Sequence, residues 1–407
     1  MHPPQSVTPP SLRRTLTLPL LTLYGLGVTV GAGIYVLIGA AVAQAGPYAW
    51  VSFLVAAIVV GFTAFSYAEL ATRYPVSAGE AAYVDAGFRA PRLAVVVGLL
   101  VAISGMVSAS AITVGAAGYL FALTGFDTSL LIVGITVSMG VLAWWGITQS
   151  VMVAAVVTII EIAGLIFVII WAGGIADHNG VSPAELLPPA DIGDWTHIVA
   201  ASLLAFFAFI GFEDMVNVAE EVKDPRRTIP SAIIYTLIAA TILYIAISIA
   251  VLLAVPVDAL STSNAPLTLV FSDAPDIIQT GVALAAIVAT VNGVLIQMIM
   301  ASRVIYGMAD RGRLPAIFAR LSTKSRTPSV ATACVALSIM SLSLFLPIEK
   351  LAGWTSQIVL GVFVCVNASL IAIKRRADDH TDHFNVHILV PVLGMITSIA
   401  LLATMLL

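Results

Sequence analysis

The stretch Phe206-Phe207-Ala208-Phe209-Ile210-Gly211-Phe212-Glu213-Asp214 places a glycine and two carboxylates in the middle of an apolar run, residues 195–219. Ionisable groups at that depth of a membrane are costly, and they usually face a cavity. If the helix unwinds just before them, Glu213 and Asp214 become first-turn residues of a new half-helix, where the helix dipole favours anions. The pattern predicts a discontinuous membrane helix whose two carboxylates either stabilise the restart or contact a ligand.

The composition places these residues in a membrane protein. Of the 407 residues, 60% are hydrophobic and only 10% are charged, whereas soluble domains carry roughly 25% charged residues. The 18 Lys and Arg against 22 Asp and Glu give a net charge of −4 and form no basic block, which excludes a nucleic-acid-binding protein. Cys334 and Cys365 both lie in apolar runs and indicate neither a disulfide framework nor a metal site.

Eleven apolar runs are long enough to cross a hydrocarbon core of about 30 Å, which needs about 20 helical residues. They are residues 16–45, 48–71, 93–123, 129–147, 151–174, 195–219, 229–256, 277–308, 329–347, 351–373 and 388–407. With the N-terminus inside, 17 of the 18 Lys and Arg residues fall on the cytoplasmic side, and only Lys350 falls outside. Because Lys and Arg collect in short cytoplasmic loops, we expect a multi-pass protein of the plasma (inner) membrane with a cytoplasmic N-terminus.

The first run carries four glycines near its centre: Gly25, Gly27, Gly31 and Gly33. Each glycine within a helix is destabilising by roughly 1 kcal/mol relative to alanine, so the cluster predicts a second break. The alternative is close packing against another helix, because Gly27 and Gly31 form a GxxxG pattern.

Runs one and six cross the membrane in opposite directions, so their broken centres can meet at the midplane. Antiparallel five-helix repeats with discontinuous first members are a transporter architecture, in which half-helix N-termini attract anions and freed carbonyls attract cations. We therefore expect one transmembrane domain, residues 1–407, with a first repeat at about 15–174, a second at about 195–376 and an additional helix at about 388–407. An α-amino acid, with its carboxylate and ammonium close together, suits such a site.

Four blocks, residues 25–35, 67–80, 206–230 and 301–315, carry a family resemblance. They include Gly25-Leu-Gly27, Tyr67-Ala-Glu69-Leu-Ala-Thr-Arg73-Tyr-Pro75 and Ala219-Glu-Glu-Val-Lys-Asp-Pro. In this order they resemble the amino acid-polyamine-organocation (APC) family of permeases. The resemblance implies an all-α LeuT-type five-plus-five fold with about eleven transmembrane helices, of which helices 1 and 6 are discontinuous.

The resemblance also implies a substrate site at the two breaks. Its members are Thr29, Gly31, Ala32, Gly33, Phe207, Ala208, Ile210 and Gly211. The backbone amides of residues 31–33 would receive the substrate carboxylate, and the carbonyls of Thr29, Phe207 and Ile210 would receive its ammonium group. Phe207 would be an aromatic gate above the substrate, although without the adjoining break these phenylalanines would be read as packing residues.

Charges at the cytoplasmic ends form a second group, interpreted as inner-gate or loop-anchoring residues or as simply solvated ones. They are Glu69, Arg73, Glu80, Glu220, Glu221 and Arg303.

Glu161 is the only ionisable residue of the fifth run and lies at its centre. The stretch around it resembles the one that carries a lysine in proton-coupled family members, where sodium-coupled relatives bind a cation. A neutral acid at that depth could accept and release a proton, which makes Glu161 a coupling candidate beside Glu213 and Phe207. The alternative is a protonated packing residue hydrogen-bonded to run one or eight, so neither proton nor sodium coupling follows from the resemblance.

The sequence predicts a secondary transporter that moves an amino acid by alternating access, coupled to protons or to exchange. The alternative is a polyamine or other organic-cation transporter, in which Glu213 and Asp214 bind the ammonium directly. A channel is disfavoured because no filter motif repeats, and an enzyme because no catalytic constellation lies within the runs. We expect no cofactor, and no metal at the carboxylates and imidazoles of residues 378–387, because such loops are usually solvated.

Overall fold

The computed structural model describes residues 14, 16–75, 79–145, 151–175, 180–322, 327–376 and 383–404. In these residues the chain forms thirteen α-helices. Helices α1 to α7 are Leu18–Ala45, Ala49–Arg73, Gly79–Phe88, Pro91–Thr124, Thr128–Trp145, Val151–Ile175 and Ile192–Phe207. Helices α8 to α13 are Pro225–Ala254, Val257–Thr262, Asp276–Asp310, Ser329–Phe345, Ile348–Arg375 and Leu389–Ala403. The 3₁₀ segment Phe212–Glu221 follows α7, and shorter 3₁₀ segments are Gly46–Tyr48, Pro183–Leu186, Pro266–Phe271 and Ala316–Ala319.

The protein is a multi-pass membrane protein. Each of the eleven predicted apolar runs contains an α-helix. In the described ranges, 8 helical segments are long and apolar enough to cross a bilayer, one of them, Leu18–Arg73, comprising both α1 and α2. Helices α11 and α13 are apolar but shorter. Trp145, Ile170 and Ile242 are among the large apolar side chains that remain exposed, as is typical of lipid-facing helices.

Helix α1 lies at the centre of the helix bundle. It carries no charged residue along its length, and it packs against α6, α7, α8 and α10. Ile34, Leu37 and Ile38 in its second half are completely buried. A helix that is apolar on all sides is expected to be enclosed by others, and this enclosure places the glycine cluster beside the break in the sixth run.

The break predicted in the first run is wrong for this structure, because α1 is one continuous helix of 28 residues. The glycines instead permit close helix packing, which was the alternative interpretation. A Cβ atom on Gly27 would collide with Thr158 of α6, and one on Gly33 would collide with the backbone of Ala208. Burial against these neighbours offsets the low helix propensity of glycine.

A buried polar layer joins α2 to α12. Ser66 Oγ donates to Asn367 Oδ1 at 2.7 Å, and Asn367 Nδ2 donates to Thr63 Oγ1 at 2.9 Å. All three side chains are fully buried. Because polar groups far from water are costly unless they are paired, this layer fixes the register of the two helices.

Candidate functional site

The sixth run is interrupted where the sequence predicts it. Helix α7 ends at Phe207, residues 208–211 form a turn, and the 3₁₀ segment begins at Phe212. Gly211 adopts φ 124°, a conformation that L-residues with a side chain rarely adopt. The carboxylate of Glu213 accepts a hydrogen bond of 2.8 Å from the Gly211 amide, so Glu213 stabilises the restart of the helix.

The break packs directly on the middle of α1. A Cβ atom on Gly211 would lie 2.7 Å from Val28 Cγ1 and 2.9 Å from the Val28 carbonyl oxygen. One turn further along, Gly33 of α1 faces Ala208 with no space for a side chain. Two glycines, one on each segment, therefore allow the backbones to approach closely.

Tyr244 of α8 ties the two segments together. Its hydroxyl lies 2.7 Å from the carbonyl oxygen of Thr29 and 2.7 Å from that of Ala208. A hydroxyl has one proton, so it serves these two acceptors in turn or shares the proton between them. The Ala208 carbonyl, which the break removes from the helical ladder, thereby gains a partner away from water.

A small cavity, with room for about one water molecule, lies between α1, α4, α7 and α10 and is here called the central cavity. Its lining includes four of the predicted substrate residues, Thr29, Gly33, Phe207 and Ile210, with Ser108 of α4 and Gln297 of α10. Ala208 and Gly211 lie in the adjoining turn. The Thr29 hydroxyl is buried and makes no hydrogen bond within the described residues.

The predicted carboxylate site is not open in this structure. Residues 31–33 lie inside α1, where each backbone amide is paired with the carbonyl four residues earlier. The predicted ammonium acceptors are partly in place. Thr29 and Phe207 line the same cavity, but the Thr29 carbonyl already accepts a hydrogen bond from Tyr244.

The sequence reasoning missed Ser108, Gln297 and Tyr244. Gln297 gave a signal, because it is an amide in the apolar run 277–308. The sequence contains no signal that distinguishes Tyr244 from Tyr235 on the same helix, although the Tyr235 side chain is 53% exposed. Their roles depend on which helix each side chain faces, and hydropathy does not contain that information.

A second small cavity, with room for about one or two water molecules, adjoins the first and is here called the acidic cavity. It is lined by Tyr67, Glu80, Glu213, Asp214, Ser104 and Gln297 among others. Ser108, Ile210 and Gln297 line both cavities. The Tyr67 hydroxyl donates to Glu80 Oε1 at 3.2 Å. Glu80 lies on the short helix α3, and burial raises the pKa of its carboxyl above the usual range, against the lowering effect of its hydrogen bonds.

Glu161 is completely buried on α6, beside α1 and α10. The Tyr35 hydroxyl donates to the Glu161 backbone carbonyl at 2.9 Å, and the Tyr119 hydroxyl donates to the Tyr35 carbonyl at 2.6 Å. The side chain of Asn292 on α10 is close enough to interact with the Glu161 carboxyl. The residue thus sits at a three-helix contact, about a helix turn from the Gly27–Thr158 packing point.

Among the charges predicted for the cytoplasmic ends, Glu69 is an anchor. Its fully buried carboxylate pairs with Arg73 at 2.7 Å and with Lys374 of α12 at 2.8 Å, and it accepts from the Val386 amide at 2.8 Å. It therefore binds the segment before α13 to α2 and α12. Within the described ranges no His, Cys, Asp or Glu group could hold a metal ion, and Asp378, Asp379, His380 and Asp382 lie outside those ranges.

The sequence profile of the family described as "Amino acid permease" matches residues 17–407. The chain belongs to the amino acid permease family. It is 28% identical to the branched-chain amino acid permease BcaP of Bacillus subtilis, over 91% of this chain and 83% of that protein. It is 30% identical to the vacuolar cationic amino acid transporter 2 of Arabidopsis thaliana, over 89% of this chain and 60% of that protein. It is 26% identical to the methylthioribose transporter of Bacillus subtilis, over 95% of this chain and 87% of that protein.

These relatives of the permease are named as transporters, and their names cover branched-chain, cationic and sulfur-containing sugar substrates. Family membership therefore does not decide the side chain of the substrate.

Replacing Gly211 with alanine should destabilise the break. The added methyl group would collide with Val28, and the backbone conformation at φ 124° is strained for alanine, by about 1–3 kcal/mol. We expect a lower thermal unfolding midpoint for the purified, detergent-solubilised permease. Gly281→Ala on α10 is the matched control, because nothing lies within 4 Å of its added methyl. Equal midpoints for the two variants would contradict the packing described above.

Removing the Tyr244 hydroxyl should weaken the link between α1 and the break. Tyr244→Phe keeps the ring in place but leaves the Ala208 carbonyl without its donor, at a cost of about 0.5–1.5 kcal/mol. We expect a lower maximal uptake rate in proteoliposomes and a lower unfolding midpoint. Tyr235→Phe, on the exposed face of the same helix, should leave both unchanged. If both variants behave like the unmodified permease, the bridge is not functional.

Proposed function

We propose that this permease is a secondary transporter that moves an amino acid across the membrane by alternating access, with the central cavity as the substrate site. The observation that carries the proposal is the cavity between the continuous helix α1 and the break that follows α7. Thr29, Gly33, Phe207 and Ile210 line it, and the buried hydroxyl of Thr29 has no hydrogen-bond partner in the part of the chain that the structure describes. Buried polar groups of that kind mark sites that a ligand completes.

The two ends of an amino acid find complementary groups there. Carbonyl oxygens near the break suit the ammonium group, as do the hydroxyls of Thr29 and Ser108. The backbone amides of residues 31–33 are engaged within the continuous helix α1. Opening of α1 at its glycines would free these amides for the substrate carboxylate. Phe207, 3% exposed at the end of α7, would close over the substrate.

The break that follows α7 supplies the hinge that alternating access requires. Hinges are short segments that absorb large changes of backbone dihedrals between rigid elements, and residues 208–211 are such a segment between α7 and the 3₁₀ segment. The wider arrangement that we propose has five-plus-five repeats, a cytoplasmic N-terminus and a location in the plasma (inner) membrane. The basic-residue distribution supports that orientation.

Glu161 is the proposed coupling site, in the sense of proton binding and release. Support comes from its complete burial and from its contact with α1, where the Tyr35 hydroxyl donates to its backbone carbonyl. A change in its charge would alter the packing of α6 on the helix that lines the central cavity.

A panel of radiolabelled amino acids should show saturable uptake into proteoliposomes for at least one member. Parallel reactions are run with an imposed pH gradient, with an imposed sodium gradient and with no gradient. They distinguish proton coupling, sodium coupling and uptake without either ion. Methylthioribose belongs in the panel because one relative is named for it. The absence of saturable uptake for every amino acid would overturn the proposed function.

Substituting Glu161 by glutamine should abolish the increase in uptake rate that a pH gradient gives, because glutamine cannot bind or release a proton. Exchange of labelled for unlabelled substrate at equal pH should persist. Glu349→Gln is the control, since Glu349 is exposed at the start of α12. Uptake by Glu161→Gln that responds to the pH gradient as strongly as the unmodified permease would exclude Glu161 as the coupling site.

A further inference from the structure

The loop after α10 carries a positive charge that the proposed transport cycle does not use. Between residues 311 and 326 the sequence has basic residues at 311, 313, 320, 324 and 326 and no Asp or Glu. The basic stretches at 223–227 and 374–376 differ, because acidic residues lie within them or close to them in the sequence. A group of about four to eight basic residues directly after a membrane helix is typical of segments that contact anionic lipids.

The described part of this loop, residues 311–322, is here called the basic segment, and it is folded back against the membrane helices. Gly312 has φ 70°, and the Arg313 amide donates to the Met308 carbonyl at 2.9 Å, which ends α10 in a tight turn. The 3₁₀ segment Ala316–Ala319 then packs against α10 and α11. The basic segment therefore has a fixed place at one end of the helix bundle.

Three arginines of the basic segment, Arg311, Arg313 and Arg320, have exposed side chains. Within the ranges that the structure describes, none of the three forms an ion pair or a side-chain hydrogen bond with the protein. A guanidinium group presents several N–H donors in a planar fork that matches the oxygens of a phosphate or carboxylate. The three groups are therefore free to bind an anionic partner outside the protein.

Apolar side chains of the basic segment are exposed between the arginines. Ile317 is 48% exposed and Leu321 is 46% exposed. This mixture suits the boundary between lipid headgroups and acyl chains, where apolar side chains enter the lipid and charged groups face the headgroups. A free anion would bind the arginines but would leave Ile317 and Leu321 uncovered, so the mixture favours a lipid as the partner.

Two tryptophans place the basic segment at the level of the lipid headgroups. Trp144 and Trp145 end α5 and are 53% and 73% exposed. The Thr327 hydroxyl donates to the Trp144 carbonyl at 2.7 Å, and the Ser322 amide donates to the Thr327 carbonyl at 2.9 Å. Tryptophans of membrane proteins are enriched at the membrane–water interface. Because these two hydrogen bonds join the end of α5 to the end of the basic segment, the segment lies at that interface too.

We propose that the basic segment is a binding site for an anionic phospholipid. The guanidinium groups of its three arginines bind the headgroup oxygens, and its two exposed apolar side chains contact the acyl chains. The site lies on the membrane face that the basic-residue distribution assigns to the cytoplasm. It requires only that the chain spans a membrane, so it is tested separately from the proposed transport.

Lipid binding by the purified full chain tests this site. Affinity-captured permease in detergent is incubated with equal concentrations of dioleoylphosphatidylglycerol and dioleoylphosphatidylcholine, and the bound lipids are extracted and quantified by mass spectrometry. The two lipids share their acyl chains and a phosphate, but only phosphatidylglycerol has a net negative charge. We expect about tenfold more bound phosphatidylglycerol than phosphatidylcholine, and a smaller preference at higher ionic strength because salt screens exposed charges. Equal binding of the two lipids would overturn the proposal.

The triple variant Arg311→Gln/Arg313→Gln/Arg320→Gln should lose most of this preference, because it lacks the donors for the headgroup. A matched control removes the same charge from exposed positions in other parts of the chain, namely Lys223→Gln/Arg227→Gln/Arg375→Gln, and should keep the preference. Retention of the full preference by the first variant, or an equal loss in both variants, would contradict the assignment to the basic segment.

Inorganic phosphate distinguishes a lipid site from a simple anion site, and this measurement needs no variant. At constant ionic strength, exchange of chloride for phosphate should leave the amount of bound phosphatidylglycerol unchanged, since a free anion makes no contact with Ile317 or Leu321. Displacement of the lipid by phosphate would overturn the assignment to a phospholipid, whether or not the arginine variant folds.

Discussion

The structure depends on the hydrogen bonds made, away from water, by the backbone groups that the break after α7 leaves unpaired. An unpaired peptide group in a membrane interior costs several kcal/mol, so a break persists only if other elements supply partners. Here Tyr244 serves the Ala208 carbonyl, and Glu213 accepts from the Gly211 amide. The Tyr244 hydroxyl also contacts the Thr29 carbonyl of α1, which lies against the break at backbone distance because glycines on both segments leave the space. The central cavity exists because this junction cannot pack as two regular helices would.

The sequence predicted the break in run six but not the state of the first run, for one physical reason. A glycine followed by two carboxylates in run six has no favourable continuous-helix solution, because the charges need either a helix start or a cavity. Glycines alone in run one fit two solutions, unwinding or close packing, and only the neighbours decide between them. Thr158 and Ala208 happen to fill the space that side chains would need. A pattern of small residues therefore locates a contact without giving its conformation.

The same limit separates the site residues that could be predicted from those that could not. Thr29, Gly33, Phe207 and Ile210 share a cavity because they flank the two special segments, which sequence spacing can identify. Tyr244 and Ser108 enter from helices whose rotation is set by tertiary packing. One polar side chain in a long apolar helix can face any of several neighbours, so its partner is decided only when the bundle forms. Hydropathy places such a residue at a depth but not at an angle.

Buried polar contacts hold α2 and α12 together at two levels. Glu69 joins α2, α12 and the segment before α13 through two cationic side chains and a backbone amide. The Ser66–Asn367–Thr63 layer joins α2 to α12 again, about one helix turn away. Two buried polar layers on the same pair of helices resist sliding, because any shift leaves a charge or an amide unpaired. Among the described residues, the turn of residues 208–211 is held by local backbone hydrogen bonds, the Tyr244 hydroxyl and the Glu213 carboxylate, without an ion pair. This difference supports the proposed hinge at the break beside the central cavity, where a ligand can bias the conformation directly.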